Sequence, residues 1–149
     1  MKTFKRSEAG MAMLETALVL PVLLLVIFGI VETGLGFARF QVVLNAAREG
    51  ARAAAIFSRS RCEVGNVRTA ATTAVNSFQG SLGMASFAIT TTPIGQGDLC
   101  TARMVAVSVQ FDHQVPLTNG LGRLFGSPGP LVVPITAQSA ATVEGNSQP

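Results

Sequence analysis

Apolar residues fall along this chain in three patterns. From Met11 to Val31 they run almost unbroken, with Glu15 the single charge. As a helix that run is about 31 Å long, matching a hydrocarbon core of about 30 Å, and it predicts a membrane span. Pro21 and Gly29 would weaken a soluble helix, but membrane helices tolerate both because neighbours shield the loosened backbone. Beyond the run the spacing stays helical. Phe37, Phe40, Leu44, Ala47 and Ala54 fall near one stripe, leaving Arg48, Glu49 and Arg52 elsewhere. Residues 45–55 are alanine-rich and of high helix propensity apart from Gly50. Span and stretch together predict one helix of roughly 45 residues, half in lipid and half outside. Its small residues leave room for a second helix, or equally for simple packing on its own domain.

The second pattern is amphipathic. Val64, Val67, Ala71, Ala74, Val75 and Phe78 recur at three-to-four spacing and predict a second helix, broken by Gly80 and Gly83. The third has period two. Ala85–Thr92 and Arg103–Asp112 read as strands joined by a turn over Pro93–Gly97. In the latter, Val105, Val107, Val109 and Phe111 share one face, with Ala106, Ser108 and Gln110 on the other. Leu117, Leu121, Leu124 and Phe125 suggest a short apolar helical turn within a Gly/Pro-rich excursion. Leu131–Val143 reads as a last strand, with Pro134 near its start or at a sheet edge. The expected fold is α+β: a long N-terminal helix, a second amphipathic helix and a small antiparallel sheet. Residues 1–10 form a leader, 11–31 the span, and 32–149 an exported part. Within that part, residues 32–58 continue the helix and 62–145 form the compact body.

Charge adds an orientation. The net charge is +3, yet Cys62–Pro149 carries −1, so the basic excess lies in the leader and in Glu32–Arg61. Lys2, Lys5 and Arg6 cluster just before the span, while Arg39 and Arg48 lie further off on the other side, which places the N-terminus in the cytoplasm. A cleavable secretory signal competes with this reading. Its apolar stretch would be long, and Glu32-Thr33-Gly34-Leu35-Gly36 makes a poor small-x-small cleavage site. If the domain is exported, Cys62 and Cys100 lie in an oxidising space, where a disulfide is the default and two free thiols the alternative. With no CxxC and one histidine, the chain offers no zinc site.

Glu15 needs an explanation, because a carboxylate costs roughly 2.5–3.5 kcal/mol at the centre of a span and less near an end. As the fifth residue of the run it could simply snorkel to the interface. If the chain were cut after Gly10, however, the new amine on Met11 would lie one helical turn upstream on nearly the same face, and the two charges could neutralise each other.

A short charged leader, then Gly10, then Glu15 at the head of an apolar helix resembles the class III signal of type IV pilins and pseudopilins. More specifically, Leu14-Glu15-Thr16-Ala17-Leu18-Val19-Leu20-Pro21 and Phe28-Gly29-Ile30-Val31-Glu32-Thr33-Gly34 resemble the TadE-like family, as does the run Asn45–Ala55. The likeness covers about Ser7–Ala55. Thr16 and Thr33 depart from it, standing where the family usually has aromatic residues. The resemblance implies a pseudopilin or minor pilin of the tight-adherence (Flp) pilus, seated in the bacterial inner membrane with its C-terminal domain periplasmic or extracellular. It implies cleavage between Gly10 and Met11 by a prepilin peptidase, with Glu15 as the determinant of processing and assembly. The implied partners are membrane lipid, other pilins and pseudopilins, and the Tad assembly platform. No cofactor, nucleic acid or small-molecule substrate is implied.

Other chemistry is weaker. His113 beside Asp112, with Ser108 nearby, supplies the residue types of a hydrolase, but one such set is expected by chance. Arg48, Arg52, Arg59, Arg61 and Arg68 form a basic stretch without Trp or Tyr to stack bases, and a solvated face or an acidic partner pilin suits it better. Asn119-Gly120-Leu121-Gly122-Arg123 lacks the Lys-Ser/Thr of a phosphate loop. Two alternatives to the pilus reading remain: an uncleaved membrane-anchored binding module and a secreted small enzyme.

Overall fold

The computed structural model describes residues 8–60, 62–84, 86–115, 120, 126 and 131–143. Helix α1 (Glu8–Ser60) is a single helix of 53 residues, about 80 Å long. Its described residues reach into the expected leader at Glu8 and past the expected limit at residue 58. Pro21 lies within it and withholds one N–H from the ladder without ending the helix. Every residue from 10 to 28 is exposed, and among the described residues no other part of the chain covers this stretch. From Val43 onward α1 becomes the spine of a small head. Helix α2 (Val64–Asn76), a 3₁₀ turn (Ser81–Gly83) and strands β1 (Ala88–Ile94), β2 (Met104–Gln114) and β3 (Val132–Thr142) complete it.

The sheet is an antiparallel meander in the order β1-β2-β3. In the central strand, Val107 stands opposite Thr91 on one side and Ser139 on the other. Val105, Val107 and Val109 are fully buried, as the alternation of β2 predicts. They meet Val67, Ala71 and Val75 of α2 and a stripe of α1 formed by Val43, Ala46, Ala47, Ala51 and Ala54. Gly50 lies in the same stripe. A Cβ there would come within 2.7 Å of Val75 Cγ2 and 3.2 Å of Val107 Cγ1. The helix-weakening glycine is therefore what lets α1, α2 and β2 converge.

This packing corrects one expectation. Phe37 and Phe40 do not face the head, being 64% and 38% exposed. The rest of the expected stripe does face it, since Ala47 and Ala54 are buried and Leu44 packs against the core, and small residues dominate there because strand and helix approach closely. A second correction concerns β1, which starts at Ala88 and includes Pro93 and Ile94, so that the turn begins only at Gly95. Among the described residues β1 is an edge strand paired only with β2, and an edge position can accept a proline without a ladder N–H. Pro134 stands opposite Asp112 on β3, the other edge, as anticipated. The apolar turn expected at Leu117, Leu121, Leu124 and Phe125 lies outside the described residues.

A disulfide joins Cys62, just after α1, to Cys100 in the β1–β2 connection, across 38 positions of sequence. Asp98 shapes that connection. Its carboxylate accepts from the Cys100 N–H at 3.0 Å, the Thr101 N–H at 3.0 Å and the Thr101 hydroxyl at 2.9 Å. Those bonds hold its pKa below the ordinary value, the Thr101 hydroxyl contributing most. The buried Ser58 hydroxyl donates to the Leu99 carbonyl at 2.8 Å, fixing the same loop to the end of α1.

Candidate functional site

The residues singled out in the sequence occupy two places. Gly10, Met11 and Glu15 lie at the start of α1, exposed, with Met11 and Glu15 one turn apart along a continuous helix. Apart from its own helical turn, no described residue lies within 4 Å of where a Cβ on Gly10 would stand. Thr16, in the position expected of an aromatic residue, donates its hydroxyl to the Ala12 carbonyl at 2.9 Å. Thr33 does the same to Gly29 at 2.8 Å. These back-bonds satisfy both hydroxyls within the helix, so neither exposes a free polar group on an apolar surface. The stretch contains an 18-residue window of mean hydropathy 2.6, long and apolar enough to cross a membrane.

The second place is the junction between the bare part of α1 and the head, which the sequence did not reveal. His113 lies inside β2, on the face that packs against α1, and is 5% exposed. Its ring sits against Gly36, where a Cβ would come within 3.8 Å of Nε2. Arg39 Nη1 donates to His113 Nδ1. A guanidinium only donates, so Nδ1 is the acceptor and the neutral ring carries its proton on Nε2. The same arginine donates through Nε and Nη2 to the Leu82 carbonyl at 3.2 and 3.1 Å, and its guanidinium carbon lies 5.9 Å from the centroid of the Phe111 ring. Leu82 adopts a left-handed φ of 53°, a strained conformation for a side chain branched at Cγ. Arg39 thus fastens the 3₁₀ turn, β2 and α1 together. In the sequence it was only a charge beyond the span, because its partners are 43 and 74 residues away.

Burial pushes the His113 pKa below 6.5, with the Arg39 charge adding to the fall and Glu32 opposing it. As pH drops, the unfolded chain takes up this proton before the folded one. The contribution of neutral His113 to stability is complete above about pH 6.5 and is lost as pH falls through the depressed folded value. The urea midpoint of the full chain in detergent should therefore fall between about pH 7 and about pH 5, and His113→Gln should flatten that dependence. An equal slope in both proteins would remove His113 as its source.

The hydrolase constellation is not assembled. Ser108 and Asp112 lie on one face of β2 and His113 on the other, where Arg39 occupies its Nδ1. Among the described residues, no three His, Cys, Asp or Glu side chains gather as metal ligands. Arg48, Arg52 and Arg68 are solvent-exposed.

The features that stand out define a class of protein: an apolar N-terminal helix, carrying one carboxylate near its start, that continues unbroken into a small disulfide-clasped α+β head. Residues 10–52 match the family model described as TadE-like protein, the family that the residues of α1 resemble. The match starts at Gly10, takes in Glu15 and Arg39, and stops before the end of α1. No curated protein and no solved structure matches the chain.

Proposed function

We propose that this chain is a pseudopilin-like structural component of a tight-adherence pilus. Residues 11–31 would anchor it in the inner membrane, the leader would face the cytoplasm, and the head would face the periplasm or the exterior. The observation that carries this reading is that the TadE-like match, residues 10–52, takes in the whole uncovered stretch of α1 along with the first part of the helix's buried stripe. A soluble protein would have to cover so long an apolar surface; here nothing among the described residues does. Cleavage between Gly10 and Met11 by a prepilin peptidase would leave a new amine one turn from Glu15. Neighbouring pilins and pseudopilins would then be selected by helix packing in the membrane, with the carboxylate of one subunit matched to an amine. The pairing of Cys62 with Cys100 supports an oxidising location for the head. Nothing in the proposed role requires a cofactor or a substrate.

Orientation is testable directly. Alkaline phosphatase, which is active only where its disulfides form, should be active when fused behind the head, and the fusion should stay in the membrane fraction after alkaline carbonate extraction. An inactive phosphatase, with green fluorescent protein fluorescing at the same position, would reverse the topology.

A further inference from the structure

Two contacts set the height of the head along α1. Val107 lies against Gly50 and His113 against Gly36. From Gly36 to Gly50 the helix rises about 21 Å. From Val107 to His113 an extended strand covers about 20 Å. β2 therefore descends alongside α1 toward its bare half. Val115, whose N–H donates to the Leu131 carbonyl at 3.1 Å, continues that descent. Two residues beyond His113 it is about 7 Å lower, level with Val31 and Glu32. On the proposed reading, that is the edge of the hydrocarbon core. Val132 stands opposite Gln114 and Val133 opposite His113, so the start of β3 lies at the same height.

This part of β3 differs from the rest of the strand. Leu131, Val132 and Val133 are 52%, 41% and 43% exposed, and Pro134 is exposed after them. Higher on the strand the exposed positions are Thr136, Gln138, Ala140 and Thr142. Four consecutive exposed apolar residues are unfavourable in water. The headgroup layer, about 5–7 Å deep on each side of the core, would accommodate them at this height.

We infer that Leu131, Val132 and Val133 form a lipid-contacting rim that seats the head on the membrane from which α1 emerges. The inference rests on the reading of residues 11–31 as a span. Its physical effect is to restrict the head: a single helix leaves the head free to tilt over the bilayer, whereas a second apolar contact beside the helix fixes which face of the sheet looks down.

The chain has no Trp and no Tyr, so one introduced tryptophan is a unique reporter. The full chain would be reconstituted into phosphatidylcholine vesicles as Val132→Trp, Leu131→Trp, Leu24→Trp or Phe57→Trp, each checked for an unfolding midpoint like that of the parent. Acyl chains brominated close to the glycerol end would serve as quencher. Leu24→Trp should lose fluorescence because it lies in the span. Val132→Trp and Leu131→Trp should lose it too, with a shift to shorter wavelength. Phe57→Trp, near the far end of α1, should stay bright. If Leu24→Trp is quenched while both rim variants remain as bright as Phe57→Trp, lipid is not the occupant and the rim is covered by a second copy or by the chain between Val115 and Leu131. That result overturns the inference and leaves the span intact. If Leu24→Trp itself stays bright, both the span and the rim are wrong.

Discussion

Glu15→Val is expected to leave the protein in the membrane and to abolish its incorporation into pili. Removing the charge favours insertion, since a carboxylate within a span costs up to about 2.5–3.5 kcal/mol. Loss of function could not then be attributed to a failure to insert. Among the described residues no hydrogen bond or ion pair satisfies Glu15 within the chain, and the helix presents it on an exposed surface. An apolar helix gains nothing from such a group on its own. What it gains is a way to discriminate between neighbours, because a buried charge is tolerable only beside its counter-charge. The Met11 amine would be that partner, one turn away in the same chain or presented by an adjacent subunit. Glu15→Asp keeps the charge on a shorter arm and should retain part of the activity. Electron microscopy of cells, with the variant quantified in membranes, reads both outcomes. Normal piliation by Glu15→Val would remove Glu15 from assembly.

The second large effect is expected in the head. Replacing Cys62 and Cys100 together by Ser frees a loop of 38 positions that holds α2, the 3₁₀ turn and β1. In the chain-entropy model a loop of that size contributes about 4 kcal/mol. The head is small, and much of its core is alanine and valine, which bury little area each. Losing about 4 kcal/mol would consume most of the stability of a domain this size. The double variant should melt about 15 °C or more below the parent in the same detergent. The fall should appear in the parent too when a reductant is added. Asp98 and Ser58 hold the Cys100 loop independently of the bond, so the reduced loop keeps part of its shape. A double variant that melts with the parent would show that those hydrogen bonds suffice.

Much of the architecture was legible because each part obeys one dominant constraint. Lipid accepts only an apolar exterior, and the run from Met11 to Val31, with Glu15 as its single charge, meets that constraint. A sheet buried on one face writes the alternation of Val105, Val107 and Val109. Where two constraints competed, the sequence misled. On α1 the stripe of Phe37, Phe40, Leu44, Ala47 and Ala54 looked like the core face; Ala47 and Ala54 are buried and Leu44 packs against the core, but Phe37 and Phe40 stay exposed while Val43, Ala46, Gly50 and Ala51 join the buried side. Close approach of a strand favours small side chains over large ones there, and nothing local signals which residues have a partner. The extension of β1 through Pro93 depended on its being an edge, a property of strand order. The Arg39–His113 pairing depended on β2 descending along α1, which only the assembled sheet determines. Of the candidate site, Gly10, Met11 and Glu15 were visible because spacing along one helix is enough to relate them. The junction was not, because its members come from three separate elements.

The N-terminal residue of the membrane-bound protein is the most direct test of the pseudopilin reading. Intact mass and N-terminal peptide analysis of protein purified from its own membranes should give a chain that starts at Met11. Gly10→Val should abolish that product and leave the full-length chain in the membrane. A protein that retains Met1 in cells with an active prepilin peptidase would contradict processing and make the chain an uncut anchor. A start beyond Glu32 would contradict the anchor itself.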